Sequence, residues 1–388
     1  MSAPAASAPV QALPLGERWR HWRSRIIANP KFQRWAAAFP LTRGVAERNA
    51  RALFDLCAGF VYSQTLAACV RLDLFGKLAD GPRTTGELAR ETGLAPEAAR
   101  RLLRAAASLK LFVSLPGDRF ALADLGAAML GNPSIAGFVA HHALLYADLA
   151  DPVALLRGEV ETRMSQFWPY AARHPGDPPP PAPSDEDRRA AALYSELMSH
   201  SQALIAEDVL DAYPPRGQRG WLDVGGGEGA FVTAAAARAP QLKLMLFDLP
   251  PVAARARHAL AARGLASRVK VFEGDFLGDS LPLGAEIVSL VRVLHDHDDV
   301  SALALLRRVR AALPRGGSLV IAEPMAEIRG AEPVGDAYFG FYLLAMGRGR
   351  ARSPAEISAL AKTAGFRSAR LLKTRRPLLA SVIVAEGV

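Results

Sequence analysis

From Ala52 to Leu130, apolar positions recur at helical spacing in short runs. Thr84-Thr85-Gly86-Glu87 reads as a helix N-cap with a carboxylate in the first turn, and the run from Leu88-Ala89 leads to Gly93. Pro96 opens the next helix at its first position. Ala99, Leu102, Leu103 and Ala106 then share one face. Phe112-Val113-Ser114 and Arg119-Phe120-Ala121 flank Pro116-Gly117 and predict a short hairpin. Two helices followed by a hairpin form the winged-helix pattern, which serves either as a binder of duplex DNA or as a dimerisation or substrate-lid domain.

After Leu193 the pattern changes. Apolar runs at Trp221–Val224, Leu242–Phe247, Val269–Phe272, Ile287–Leu294 and Ser318–Ala322 alternate with helical stretches near 230–239, 251–263 and 299–312. This alternation predicts an α/β fold with a Rossmann-like, doubly wound parallel sheet. Ala369–Lys373 and Ser381–Val384 are separated around Arg375-Arg376-Pro377 by too few residues for a crossover helix. They predict an antiparallel hairpin at the sheet edge. Between the two regions, Pro175, Pro178, Pro179, Pro180, Pro181 and Pro183 predict a stiff exposed connector. The expected division is a basic N-terminal arm (1–51), a helical winged-helix-like domain with the Pro-rich connector (52–190) and a ligand-binding catalytic domain (191–388).

Of the 388 residues, 50% are hydrophobic and 22% charged, which excludes wholesale disorder. The net charge is +9. Most of it lies in residues 1–51, where Arg18, Arg20, Arg23, Arg25, Lys31, Arg34, Arg43, Arg48 and Arg51 face only Glu17 and Glu47. Trp19, Trp22 and Trp35 fall in the same stretch. Interleaved arginine and tryptophan on a helix suit peripheral contact with a membrane surface. The same pattern suits an arm packed on its own domain or on a second subunit. The N-terminus lacks a signal-peptide pattern, and the apolar run Leu56–Val70 is shorter than the roughly 20 residues of a membrane helix. No bilayer-spanning helix is therefore expected. Cys57 and Cys69 form no CxxC pair, which argues against a disulfide scaffold or structural zinc and fits the cytoplasm.

The candidate chemistry begins at Leu222-Asp223-Val224-Gly225-Gly226-Gly227-Glu228-Gly229-Ala230, which follows a strand and opens a helix. Gly225 and Gly227 let the backbone turn tightly and approach a ligand at a helix N-terminus. Asp248, ending the next strand, is placed for ribose hydroxyls. Asp275 and Phe276, after the third strand, offer a carboxylate and an apolar face for an adenine. These features serve adenosyl and dinucleotide ligands alike, so a nicotinamide-dependent oxidoreductase stays open here.

Asp-x-Gly-Gly-Gly-x-Gly, Phe-Asp-Leu-Pro, Gly-Asp-Phe, Val-Leu-His-Asp-x-Asp-Asp and Ala-Glu-Pro occur in that order. This series resembles the class I S-adenosylmethionine-dependent O-methyltransferases of the plant caffeate and acetylserotonin type, over roughly 55–388. The resemblance implies S-adenosyl-L-methionine as cofactor and an antiparallel last strand. It also implies that the winged-helix-like domain serves a homodimer, which sets nucleic acid and a transcriptional role aside. It gives His295 the role of general base and Glu323 that of the acid hydrogen-bonded to it. Arg292 and Ser201 are expected toward the cofactor, Ser201 at the methionine carboxylate; the alternatives are a solvated surface arginine and a plain helix residue. Asn29–Trp35, Phe39–Arg43 and Leu53–Gln64, with His297 where plant members carry tryptophan, look closer still to bacterial hydroxyneurosporene (demethylspheroidene) O-methyltransferases. That resemblance implies a small apolar substrate, an acyclic carotenoid with a tertiary hydroxyl. Another hydroxylated aromatic or polyketide acceptor is the alternative.

The chemistry agrees on independent grounds. Methyl transfer needs oxygen, methyl and sulfur held in line, and the alcohol must lose a proton to a nearby base. His295 follows the fourth strand at its carboxyl end, where open α/β sheets bind ligands. Plant members carry a second acid where this chain has Ala351, in Arg350-Ala351-Arg352-Ser353. Either Glu323 suffices alone or the partner of the histidine differs. His295 and His297 would share one face of an extended segment, which permits chelation. Methyl transfer to a simple alcohol needs no metal, however, and Asp298-Asp299 also reads as an N-cap, so no metal is expected. Tyr338, Phe339, Phe341, Tyr342 and Met346, with Tyr194 and Met198, read either as core or as the wall of a polyene site.

Overall fold

The structure is a computed structural model that describes residues 14–167, 202 and 204–387. The chain forms two compact units, Met1–Ala127 and Ala128–Val388. Tyr194, Met198, Ser201 and the Pro-rich connector lie outside the described residues.

The first unit begins with three helices, α1 (Leu15–Ile27), α2 (Pro30–Ala38) and α3 (Pro40–Arg71). Proline at N1 opens α2 and α3, and the Asn29 side chain caps α2 by accepting the Lys31 and Phe32 N–H groups. Helix α3 runs 32 residues, unbroken across position 51. This corrects the expectation that no segment is long enough to span a bilayer: by length and composition α3 is. The apolar run Leu56–Val70 is only the last part of this helix, which extends through Asp55 back to Pro40. Its apolar side chains Leu53, Phe54, Leu56 and Phe60 are exposed.

The winged-helix pattern follows. Thr84 and Glu87 form a reciprocal capping box on the helix Thr85–Thr92, which ends at Gly93 in the left-handed region. The helix Pro96–Ser108 buries Ala99, Leu103 and Ala106. The expected hairpin, β2 (Phe112–Leu115) and β3 (Arg119–Leu122), gains a third strand, β1 (Arg83–Thr84), in the order β1-β3-β2.

The second unit is built on a seven-stranded sheet, β4 (Gly220–Val224), β5 (Lys243–Asp248), β6 (Val269–Glu273), β7 (Ile287–Val291), β8 (Ser318–Glu323), β9 (Phe366–Leu372) and β10 (Ser381–Gly387). Their order is β6-β5-β4-β7-β8-β10-β9. Strands β4 to β8 pair in parallel, while β10 is antiparallel to both β8 and β9. The expected edge hairpin is thus present, but β10 is inserted beside β8, so of the hairpin's two strands β9 alone lies at the sheet edge. Strands β4, β7 and β8 are wholly buried, as strands covered on both faces must be. Alternation along them feeds two cores. Leu222, Val224, Val288 and Leu290 enter one, and Trp221, Ile287, Val291 and Val320 enter the other.

The fourth apolar run stops short of Leu294. Strand β7 ends at Val291 because Arg292 takes a left-handed conformation, φ 59°, and a 3₁₀ turn follows over Leu294–Asp296. Strand order reverses about β4, with β5 and β6 on one side and β7 and β8 on the other. The crevice outside the carboxyl ends of β4 and β7 is therefore the topological switch point.

Candidate active site

Three elements meet at that crevice. The first is the glycine bend after β4. Gly225 and Gly227 hold φ of 69° and 56°, which side-chain-bearing residues rarely adopt. A Cβ on Gly225 would strike Val293, whereas one on Gly227 would meet nothing within 4 Å. The bend thus packs tightly on one side and presents bare backbone on the other. The Gly227 N–H donates to Asp248 Oδ2 at 2.8 Å, and the Leu249 N–H donates to Oδ1 at 2.8 Å. Burial outweighs these two bonds and pushes the Asp248 carboxyl up to about 6. Beneath the bend, Asp223 is buried opposite Ser289 in register on β7. Trp221 Nε1 donates to Ser289 Oγ at 2.9 Å, and Ser289 donates to Asp223 Oδ1 at 2.6 Å.

The second element follows β6. Asp275 Oδ1 accepts the Leu277 N–H at 2.9 Å and so caps a turn. The Phe276 ring stands at 90° to the His297 ring, 5.3 Å between centroids. His297, weighed in the sequence as a substitution for tryptophan and as a chelating partner of His295, is a buried wall for Phe276. Burial lowers its imidazole to about 4.

The third element is the turn after β7. His295 is buried in the 3₁₀ turn, so it and His297 do not share an extended segment. Among the described residues no three histidine, cysteine or carboxylate side chains form a metal-holding group. The expected bond from Glu323 to the His295 ring is replaced by another arrangement. Glu323 Oε2 accepts the backbone N–H of His295 at 3.0 Å, and Oε1 is buried without a hydrogen-bond partner among the described residues. The imidazole instead places Nε2 3.3 Å from Asp296 Oδ1, while Nδ1 is buried without such a partner. Burial, with the Arg292 and Arg352 charges alongside, holds the imidazole well below its ordinary pKa and therefore neutral. Burial pushes Asp296 up to about 7 and Glu323 up to about 8. Arg292 donates its N–H to Ala322 O at 2.8 Å, and its strained backbone sits between the strand and the histidine turn.

Arg352 lies in the segment that lacks the second acid, and sequence reasoning gave it no role. It is fully buried. Its guanidinium donates to Leu294 O at 2.9 Å, to His297 O at 2.7 Å and to Asp299 Oδ1 at 2.9 Å, pinning both ends of the histidine turn. Gly349 is the other contact, since a Cβ there would collide with the His295 carbonyl. No local pattern announces these contacts, because Arg352 and Leu294 are 58 positions apart.

The bend, the carboxylate after β5 and the turn after β6 are the parts an adenosyl ligand needs. Comparison with known proteins identifies the ligand. Residues 146–367 match the O-methyltransferase domain family, and residues 54–132 match the O-methyltransferase dimerisation domain. The chain belongs to this O-methyltransferase family. The methyltransferase is 45% identical to demethylspheroidene O-methyltransferase of Cereibacter sphaeroides, over 93% of each chain. It is 41% identical to the enzyme of that name from Rhodobacter capsulatus, over 94% of this chain and 88% of the other. Its fold matches the solved mitomycin 7-O-methyltransferase with a TM-score of 0.72 at 27% identity, covering 89% of this chain and all of that one. The methyltransferase is S-adenosyl-L-methionine-dependent. Its residues fit that donor: Gly227 offers a cradle that a side chain would fill, and Asp248 stands against it.

Proposed function

We propose that the enzyme methylates the tertiary hydroxyl of an acyclic carotenoid alcohol, with His295 as general base. The likeness to demethylspheroidene O-methyltransferases over nearly the whole chain carries the choice of substrate. The buried neutral imidazole at the carboxyl edge of the sheet supports the choice of base. Bound S-adenosylmethionine supplies an electrophilic methyl group on a sulfonium. Gly225, Gly227 and Asp248 would hold that donor, Asp275 and Phe276 would flank its adenine, and Arg292 would lie beside it. Ser201, outside the described residues, is assigned to the methionine carboxylate as part of this reading. In this reading Asp296, whose Oδ1 lies 3.3 Å from Nε2 of His295, orients the imidazole so that its Nδ1 lone pair receives the acceptor's proton. Glu323 acts on the turn rather than the ring, through the His295 N–H.

In this reading residues 1–51 are a basic arm, 52–190 a dimerisation domain with its connector and 191–388 the catalytic domain. The match to a dimerisation domain supports a homodimer, with the exposed apolar side chains of α3 covered by the second subunit. Helices α1 and α2 precede the matched region, and their exposed Trp19, Trp22 and Trp35 among arginines suit an anionic membrane surface. Removal of residues 1–38 should abolish co-sedimentation with anionic vesicles. Unchanged co-sedimentation refutes the membrane role. The substrate is tested with purified enzyme, labelled S-adenosylmethionine and a lipid-dispersed panel of carotenoid alcohols and phenols. Label in the methyl ether of an acyclic tertiary alcohol is expected, and label in phenols alone overturns the reading.

A further inference from the structure

One aromatic ring from His295, two imidazoles meet two phenols. His141 and His142 stand on the helix Pro133–Asp148, and Tyr338 and Tyr342 on the segment Pro333–Met346. His141 Nε2 lies 3.0 Å from the Tyr342 hydroxyl, and His142 Nε2 lies 2.7 Å from the Tyr338 hydroxyl. The two phenol rings stack, 5.7 Å apart at 27°. The Phe339 ring is 5.9 Å from both the His295 ring and the Tyr342 ring, so it links the pairs to the base. The Pro333–Phe339 stretch is a π-helix, a rare conformation that occurs frequently at functional sites. Arg292 acts electrostatically on both phenols and on His295, which places all three in one field.

Burial lowers both imidazoles, His141 to about 4, and raises both phenols, so all four groups stay uncharged near neutrality. A neutral phenol bonded to one imidazole still has hydrogen-bonding capacity to spare. An acceptor hydroxyl left unpaired in such surroundings would lose its bonds to water without replacement, so it requires a polar partner. Tyr342 is buried and Tyr338 half-buried, so Tyr338 is the more accessible residue of the pair. Stacked aromatic faces with neutral polar edges match an uncharged unsaturated hydrocarbon bearing one hydroxyl.

Resting on the carotenoid-alcohol reading, we propose that the His141–Tyr342 and His142–Tyr338 pairs are the acceptor-binding site: the stacked rings carry the hydrocarbon, and the Tyr338 phenol, oriented by His142, donates to the acceptor's oxygen. The acceptor's own proton is thereby left pointing to His295. Tyr342, held by His141, is the second face of the stack.

The test compares Tyr338→Phe, His142→Leu and His142→Gln with the wild-type enzyme. Binding of a detergent-dispersed acyclic carotenoid alcohol, and of the same hydrocarbon lacking the hydroxyl, is read by quenching of tryptophan fluorescence. Tyr338→Phe should weaken alcohol binding and raise its KM about tenfold, the worth of one lost hydrogen bond, without changing hydrocarbon binding. S-adenosylhomocysteine affinity, by calorimetry, should not move and reports that the fold is intact. His142→Leu should repeat the loss, and His142→Gln, which keeps a donor, should restore most of it. Unchanged alcohol binding and KM in Tyr338→Phe, with a wild-type enzyme that turns the alcohol over, overturns this assignment alone. A wild-type enzyme that methylates phenols and no carotenoid alcohol overturns the substrate reading and this assignment together.

Discussion

Replacing Arg352 by methionine separates the anchor of the histidine turn from the turn itself. The guanidinium is fully buried and holds the Leu294 and His297 carbonyls and the Asp299 carboxylate. Leu294 O also accepts the His297 N–H at 3.3 Å, and Asp299 keeps Arg350 at 3.0 Å, so those two groups retain partners. The His297 carbonyl loses its bond to Arg352, a loss of about 1–3 kcal/mol for a buried acceptor. The Asp299 pair adds about 0.5 kcal/mol, because that carboxylate is half exposed. Methionine fills most of the vacated volume, so the cavity contribution is small. Arg352→Met should therefore lower unfolding stability by about 2–3 kcal/mol in urea titration. The kinetic effect is separate. A turn released by about 1 Å costs up to about 100-fold in rate, so kcat should fall about 10- to 100-fold with S-adenosylhomocysteine affinity nearly unchanged. The Arg352 cation also depresses the His295 imidazole, so the acid limb of the pH–rate profile should move to higher pH in the variant. A variant that loses stability while keeping wild-type kcat and acid limb refutes the orienting role and leaves Arg352 a packing residue.

Three other outcomes are expected. His295→Gln should lower turnover by about 10²–10⁴-fold, with calorimetric affinity for S-adenosylhomocysteine unchanged; near-normal turnover removes the imidazole from the reaction. Glu323 (about 8), Asp296 and Asp223 (both about 7) hold protons more tightly folded than unfolded, so stability falls as pH rises toward those values. The lowered histidines His141 and His297 act in the opposite sense, but only below their ordinary 6.5. The melting temperature should thus decline above pH 6.5, and Glu323→Gln should flatten the decline; an identical slope counts against a protonated Glu323. Gly227→Val puts a branched side chain at φ 56° into the open face of the bend. It should cost about 1–2 kcal/mol of stability from the left-handed backbone and abolish the heat of S-adenosylhomocysteine binding. Retained affinity would show that the bend is not the cradle.

What the chain determined alone is what short-range physics encodes. The Thr84–Glu87 capping box, the Asn29 and Pro96 helix starts and the apolar runs of β4, β5 and β8 depend on neighbours a few residues away. The glycine bend was legible for the same reason, since only residues without a Cβ adopt three left-handed conformations at 225, 227 and 229 cheaply. The tertiary structure decided the pairings. The apolar run 287–294 could not disclose that Arg292 turns the backbone, because that break is set by the Ala322 carbonyl on the adjacent strand. Nor could the final hairpin show that β10 rather than β9 would lie against β8, a choice made by strand pairing across the sheet. Glu323 meets His295 at the backbone N–H, and it is Asp296 that faces the ring, a difference that no spacing along the chain discloses. The Arg352 clamp and the two histidine–tyrosine pairs join residues 58, 196 and 201 positions apart. Periodicity reports which face of an element is buried, but buried polar partners at such separations are chosen only when the elements pack and their hydrogen bonds must be satisfied.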